Sequence, residues 1–190
     1  MAETFIFRSI GVVHSPFVEQ TGTPIQPNLA DGVEGTLELD AGYASALVSL
    51  EGFERIWVLY VFDRATAFED TVIPYRDDRP HGLFATRAPA RPNPIGLSSL
   101  RLLSIDGAKL RVADVDILDG TPVLDVKPYV PAFDAFPGVG AGWLDEQRAQ
   151  TRRADRRFED DAADGVRKSP GRAQGRHGHP RHGRGGRKSA

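Results

Sequence analysis

The sequence predicts a mainly β domain, a compact barrel with one or two short helices and a C-terminal helix. Three observations carry this expectation. Short runs rich in β-branched and aromatic residues recur between Phe5 and Val126, each bounded by turn-forming residues. Asp106-Gly107 and Asp119-Gly120 supply the tight turns that hairpins need between the later runs. The segment Arg55 to Phe62 (RIWVLYVF) is almost continuously apolar over the length of one strand, as burial on both faces or a barrel position requires.

Taken in order, Phe5 to His14 reads as the first strand, stopped by Ser15-Pro16. Residues 19–32 hold Gly22, Pro24, Pro27 and Gly32 and read as a loop. Gly35 to Leu39 alternates and predicts a second strand, and the Ala/Leu/Ser-rich stretch Ala41 to Leu50 a short helix. After the apolar strand, residues 63–80 are polar and predict a mobile surface loop. Gly82 to Thr86 reads as a short strand. Three prolines between Ala88 and Pro94 exclude a regular helix there. Leu97 to Ile105, Lys109 to Leu118 and Pro122 to Val126 complete the strands. Trp143 to about Asp161 predicts a solvated helix, charged by Arg152, Arg153, Arg156 and Arg157. The expected organisation is therefore a barrel domain over 1–147, a charged C-terminal helix over 148–165, and a basic Gly/Arg/His-rich tail over 166–190. That tail has too few large apolar side chains to offset its ordering entropy, and disorder is expected.

Composition narrows the function classes. With 190 residues, 40% of them apolar, the chain can bury one core and carry an appendage. It has no cysteine, which excludes disulfides, a thiolate nucleophile and Cys-ligated metal. No apolar run approaches the roughly 18 residues of a membrane helix, and Met1 to Ser9 lacks a signal-peptide pattern, so a soluble cytoplasmic protein is expected. His14 and His81 stand alone and His177, His179 and His182 lie in the tail, so no metal site is expected. The chain has no G-x-G-x-x-G, no P-loop and no G-x-S-x-G, which leaves Rossmann dinucleotide binding and nucleophile-elbow hydrolysis without support. The net charge of -2 conceals an asymmetry: the tail holds eight Lys/Arg and no acid, leaving a body of net charge -10. An acidic body with a basic tail suits contact with RNA phosphates through the tail or through a local cluster of arginines.

Two constellations could carry chemistry. In Phe84 to Gly96, Arg87 and Arg91 lie four apart in a proline-stiffened loop, which aims guanidinium groups at an anion with little entropy left to lose. In Asp114 to Tyr129, strand alternation puts Asp114 and Asp116 on one face and, beyond the turn, Asp125 and Lys127 on one face. Acids repeated on a buried face need water, a cation or a hydrogen-bonding ligand. A ribose diol or a sulfonium meets that need, and so does simple exposure to solvent.

Several motifs then occur in a recognisable order: Ile10 to Phe17 (IGVVHSPF), Pro24 to Pro27, Leu50 to Phe53 with Trp57, Phe84 to Arg87, Arg91 to Gly96 (RPNPIG), and Asp119 to Pro122 through Lys127-Pro128-Tyr129. Over about residues 5–146 the chain resembles the TsaA/TrmO-like methyltransferases. The resemblance implies a TsaA-like β-barrel that binds S-adenosyl-L-methionine, a homodimer, and methylation of N6 of threonylcarbamoyladenosine beside the tRNA anticodon. It implies a cofactor site drawn from Ile25, Gln26, Pro27, Asp63, Arg64, Arg87, Leu97, Ala113, Asp114, Val115 and Asp116. Family members often carry His where this chain has Asp63, whose charge would instead favour a sulfonium. Catalytic roles are expected of Arg91, Asn93, Asp125, Lys127 and Tyr129. The target nitrogen belongs to a urea conjugated to a purine and is a weak nucleophile. Catalysis therefore needs alignment and removal or polarisation of its N–H proton, for which Asp116 and Asp125 are both candidates. Other readings are a same-fold methyltransferase acting on another nucleoside or small molecule, and a non-catalytic nucleic-acid or nucleotide-binding barrel.

Overall fold

The computed structural model of the chain describes residues 3–146 and 151–158. Its strands are β1 (Gly11–His14), β2 (Glu34–Leu39), β3 (Arg55–Val61), β4 (Thr71–Val72), β5 (His81–Gly82), β6 (Ile95–Asp106), β7 (Lys109–Ala113) and β8 (Pro122–Pro128), followed by one turn of helix, α1 (Pro131–Asp134). Six of the strands close into an antiparallel barrel in the order β1-β2-β7-β6-β3-β8, while β4 and β5 form a separate two-stranded ribbon. Closure leaves the barrel no exposed edge.

Alternation explains which side chains fill it. Along β3, Ile56, Val58 and Tyr60 point inward and are buried, while Trp57, Leu59 and Val61 point outward and are half-covered. That double covering is why the segment reads as a continuous apolar run. Ile56 and Val58 meet Leu37, Leu100, Leu110, Val112, Val115 and Val123 in a fully buried core. Outside, Trp57 meets Tyr129 edge-on, ring centroids 5.3 Å apart.

Several local expectations are corrected. The first strand begins at Gly11, not Phe5; Phe5, Ile6 and Phe7 find no strand opposite them and are exposed. Ala41 to Leu50 forms 3-10 turns rather than an α-helix, ended where Ser49 takes a left-handed φ of 70°. Gly82 to Thr86 is mostly a 3-10 turn, with His81–Gly82 alone pairing to β4. The loop 63–80 is more organised than expected. Its Asp77 carboxylate is buried and accepts from Arg79 Nη2 at 3.1 Å, lies 3.0 Å from His81 Nε2, and His81 stacks on Trp143.

The strand expected over Lys109 to Leu118 ends at Ala113. Asp114 takes a φ of 66°, a conformation short acids tolerate better than most residues, and the chain leaves the ladder. The bend is held by Arg55, whose guanidinium donates to Asp114 Oδ2 at 3.0 Å, Ser99 Oγ at 3.1 Å and the Ser99 carbonyl at 2.6 Å. Strand alternation therefore does not put Asp114 and Asp116 on one face.

The described parts of the expected C-terminal helix are not α-helical either: residues 143–146 lie in a 3-10 turn, Gly142–Glu146, and then comes the segment 151–158. It runs as an extended strap ending in a 3-10 turn, Arg156–Phe158, with Arg153 bridged antiparallel to Pro24. Its periodicity offers a helix no apolar face, and the free backbone of Gly22 to Ile25 supplies hydrogen bonds instead. The expected tail, 166–190, and the remainder of the expected helix lie outside the described residues.

Candidate functional site

A cavity of about 340 Å³ opens where β3 ends and β6 begins. The loop 20–26, the residues after β3, the proline-stiffened loop, the bend after β7 and the C-terminal strap all contribute to its wall. Its volume falls in the range of small-molecule sites, and its wall mixes apolar side chains with a few charged ones.

Asp116 is the most unusual group in the wall. The residue is half-buried, yet its Oδ1 is sequestered from solvent and has no hydrogen-bond partner. Burial pushes its carboxyl up to about 7; Ser98, the residue's own backbone and Arg87 counteract this in part. Beneath it, Tyr60 is buried with its hydroxyl 3.2 Å from Ser98 Oγ. Burial, and then the charge on Asp116, hold the Tyr60 phenol well above its ordinary value. Tyr60 meets Phe62 edge-on at 5.1 Å, and both rings line the cavity. This packing requires Gly96: a Cβ there would lie 2.7 Å from Tyr60 Cδ2 and closer still to Cε2 and Cζ.

The arginines divide their work. Arg87 donates to Gln26 Oε1 at 2.5 Å and so joins the proline-stiffened loop to the early loop. Arg91 Nη1 donates to the carbonyls of Thr86 at 3.0 Å and Ala88 at 3.3 Å, the two residues flanking Arg87, while its guanidinium lies over the Phe84 ring. Arg64 donates to the carbonyls of Asp119 at 2.5 Å and Val18 at 3.4 Å, tying the turn before β8 to the cavity wall; that turn is not the expected hairpin, because β7 and β8 are not neighbours in the barrel.

Of the residues expected from the sequence, Ile25, Gln26, Asp63, Arg64, Arg87, Arg91, Leu97 and Asp116 line this one cavity. Pro27, Asn93, Ala113, Asp114, Val115, Asp125, Lys127 and Tyr129 are not among its lining. Pro27 opens a 3-10 turn and Asn93 is exposed. Ala113 and Val115 are in the core, and Asp114 serves Arg55. Asp125 pairs with Lys127 at 2.6 Å on a more open surface, and Tyr129 packs on Trp57. Sequence reasoning missed Tyr60, Phe62, Tyr75, Ala154 and Phe158. Only the first had a local signal, a strand tyrosine that finds a glycine opposite it in register, Tyr60↔Gly96. Among the described residues no group of three metal-ligating side chains comes together.

The family model described as the tRNA-methyltransferase O N-terminal domain matches residues 12–135. A probable S-adenosyl-L-methionine-binding protein of Pyrococcus abyssi is 48% identical over 154 residues, covering 80% of this chain and 84% of its own length. The Escherichia coli tRNA (adenine(37)-N6)-methyltransferase is 39% identical over 150 residues, covering 74% of this chain and 64% of its own. The crystal structure of TrmO from Pseudomonas aeruginosa superposes with a TM-score of 0.63 at 39% identity, covering 74% of this chain and 62% of that one. The chain thus spans a little under two thirds of the length of the latter two proteins.

Proposed function

This chain belongs to the tRNA-methyltransferase O N-terminal domain family, and from that premise we propose that it is an S-adenosyl-L-methionine-dependent methyltransferase of tRNA. Its target in this reading is N6 of adenine in threonylcarbamoyladenosine, beside the anticodon. The observation that carries the reading is the single cavity in which a buried, unpartnered carboxylate oxygen of Asp116 and the Arg87 guanidinium share one wall.

The residues present fit the donor. Ile25, Phe62, Leu97 and Ile117 supply apolar wall for a purine and a methionyl chain, Arg87 suits a carboxylate, and Asp116 and Asp63 suit cationic centres or an N–H donor. The donor supplies an electrophilic methyl group on a sulfonium. The chain's own part is alignment and proton handling. Asp116, whose side chain lines the cavity, accepts the N–H proton of the target nitrogen, and a carboxyl poised at about 7 is well matched to that task near neutrality. Asp125, already paired with Lys127 outside the cavity wall, is a poorer candidate. Arg87 holds an anionic carboxylate, from the donor or from the threonyl group. Arg91 positions Arg87 by gripping the carbonyls on either side of it. Arg91→Ala is accordingly expected to lower kcat/KM about 100-fold, as loss of alignment does. Arg91→Lys should fail to rescue it, because one ammonium cannot reproduce the planar contact with Phe84. Activity within twofold of wild type in Arg91→Ala would remove Arg91 from this role.

The deciding experiment is methyl transfer from S-adenosyl-L-methionine to unmodified and threonylcarbamoyl-modified tRNA, followed by mass analysis of the nucleosides. Methylation of the modified adenosine supports the reading; donor binding with no product from either tRNA overturns it. The acidic body, net charge -10 outside the tail, favours one second reading, a smaller nucleoside substrate, which the same assay distinguishes by including the free nucleosides.

Action on tRNA puts the work of the protein in the cytoplasm. Among the described residues no helix is long and apolar enough to cross a membrane. The reading also includes a homodimer, supported by an outward apolar strip that continues from the cavity wall at Ile95 and Leu97. There Val61 pairs with Ile95 and Leu59 with Leu97, and Ile95 and Leu97 stay 41% and 50% exposed. Light scattering is expected to return twice the chain mass, and the chain mass itself would remove the dimer from the reading.

A further inference from the structure

The strap, residues 151–158, lies beyond the matched domain at 12–135, yet two of its side chains, Ala154 and Phe158, line the cavity. Its backbone completes a short antiparallel contact with the early loop: Ala154 N–H donates to Thr23 O at 2.8 Å, Gly22 N–H to Ala154 O at 3.0 Å, and Ile25 N–H to Arg152 O at 3.2 Å. Thr23 and Ile25 are themselves cavity wall, so strap and wall share one backbone connection.

Tyr75 is the post around which the strap turns. The Phe158 ring meets it edge-on at 5.2 Å, the Arg157 guanidinium lies over its face at 5.1 Å, and Arg157 Nη1 reaches the Pro74 carbonyl at 2.7 Å. The Tyr75 hydroxyl accepts from Gln20 Nε2 at 2.5 Å. Phe158 and Tyr75 also face an adjoining open groove, so this aromatic pair is a partition between groove and cavity. Lifting the strap would merge the two spaces.

The strap is nonetheless lightly anchored. Within it Ala154, 9% exposed, is the one buried side chain among the described residues. Its other ties are mostly exposed polar ones, Arg152 to Asp31, Arg153 to the Gly22 carbonyl and Arg157 to the Pro74 carbonyl, and a segment held by such contacts with little apolar burial opens at lower free energy than the barrel. A ligand that touches it only when docked must then favour the docked form, and docking must favour the ligand by the same factor.

We infer that residues 151–158 are a part of the methyl-donor site, a strap whose Ala154 and Phe158 close the cavity over the bound donor and whose docking is coupled to donor binding. The inference rests on the proposed function, since it takes the cavity to be the donor's.

The strap carries its own reporters, because Arg152, Arg153, Arg156 and Arg157 are trypsin sites. The full chain is digested with and without saturating S-adenosyl-L-methionine, fragments are assigned by mass, and donor affinity is measured in parallel by calorimetry. Cleavage at these four sites is expected to slow about tenfold with donor, relative to sites elsewhere in the chain, because cleavage of a docked segment tracks its open population. Phe158→Ala is expected to weaken donor affinity about tenfold and to lose most of the protection. Donor uptake with strap cleavage unchanged would overturn the inference while leaving the proposed function standing. Absence of donor uptake would overturn the proposed function and the inference together.

Discussion

Asp116→Asn is expected to lower kcat/KM for methyl transfer about 1,000-fold at about pH 8, while making the fold more stable at that pH by ~1 kcal/mol or more. Both effects come from the same carboxyl. In the folded chain burial raises the carboxyl to about 7, against an ordinary value of 3.8. Between those two values the folded chain keeps a proton that the unfolded chain has released. Stability contributed at this position is therefore greatest below the unfolded value, falls as pH rises through the window, and stays low above the folded value. Asparagine has no charged form to desolvate, so the variant escapes that loss: close to wild type at about pH 4 and more stable at about pH 8. Activity runs the other way. The ionised carboxylate is the form that accepts the target N–H proton, so wild-type kcat/KM should rise through about pH 7 and then level, while the asparagine variant shows no such rise. Chemical denaturation at the two pH values, with a pH–rate profile for each protein, checks both halves. A variant less stable than wild type at about pH 8, or one that keeps the rise, would assign the residue a packing role instead.

The same position shows where sequence reasoning succeeds and where it stops. The barrel was legible because its determinants are local and repetitive: RIWVLYVF is covered on both sides in β3, and the β6–β7 hairpin turns at Gly107-Ala108, one residue on from the expected Asp106-Gly107, whereas the turn at Gly120 joins strands that do not pair. Arg87, Arg91 and Asp116 were legible as candidates because charged residues in stiff or strand-like segments need partners, and the three do line one cavity. The companion assignments rest on alternation carried too far. Asp114 interrupts β7 with a left-handed φ that its own sequence does not announce, and so turns to Arg55. Asp125 and Lys127 share a face as alternation requires, but that face is not part of the cavity lining. Tyr75 and Phe158 were out of reach altogether. They are 83 residues apart in the chain, and only a non-local fold brings an aromatic from a polar loop against one from an arginine-rich strap. The strap itself read as a helix because its charge pattern suits a solvated one, whereas its hydrogen bonds go to Gly22, Thr23 and Ile25.

Gly96→Ala, a single added methyl, is expected to destabilise the protein by about 3 kcal/mol and to abolish measurable donor binding. The new carbon would fall on the Tyr60 ring, within 2.7 Å of Cδ2 and nearer to Cε2 and Cζ. The ring has nowhere to retreat. Tyr60 is buried, its far edge abuts Phe62, and its hydroxyl is engaged by Ser98 Oγ. Either β6 parts from β3 at the Tyr60↔Gly96 pair or the ring swings out and takes the cavity floor with it. Because Ser98 also counteracts the upward shift of the Asp116 carboxyl, displacement of Tyr60 from Ser98 is felt by the proposed proton acceptor. A double-mutant cycle separates this account from a general intolerance of side chains in β6. Tyr60→Ala alone leaves a cavity and is expected to lose about 3–5 kcal/mol. In the combined Tyr60→Ala, Gly96→Ala protein the added methyl meets space rather than a ring, so the pair should be less destabilised than the sum of the singles by about 1–3 kcal/mol. Additive losses would show that the methyl at position 96 offends the backbone and not the tyrosine, and the floor of the site would then owe nothing to that glycine.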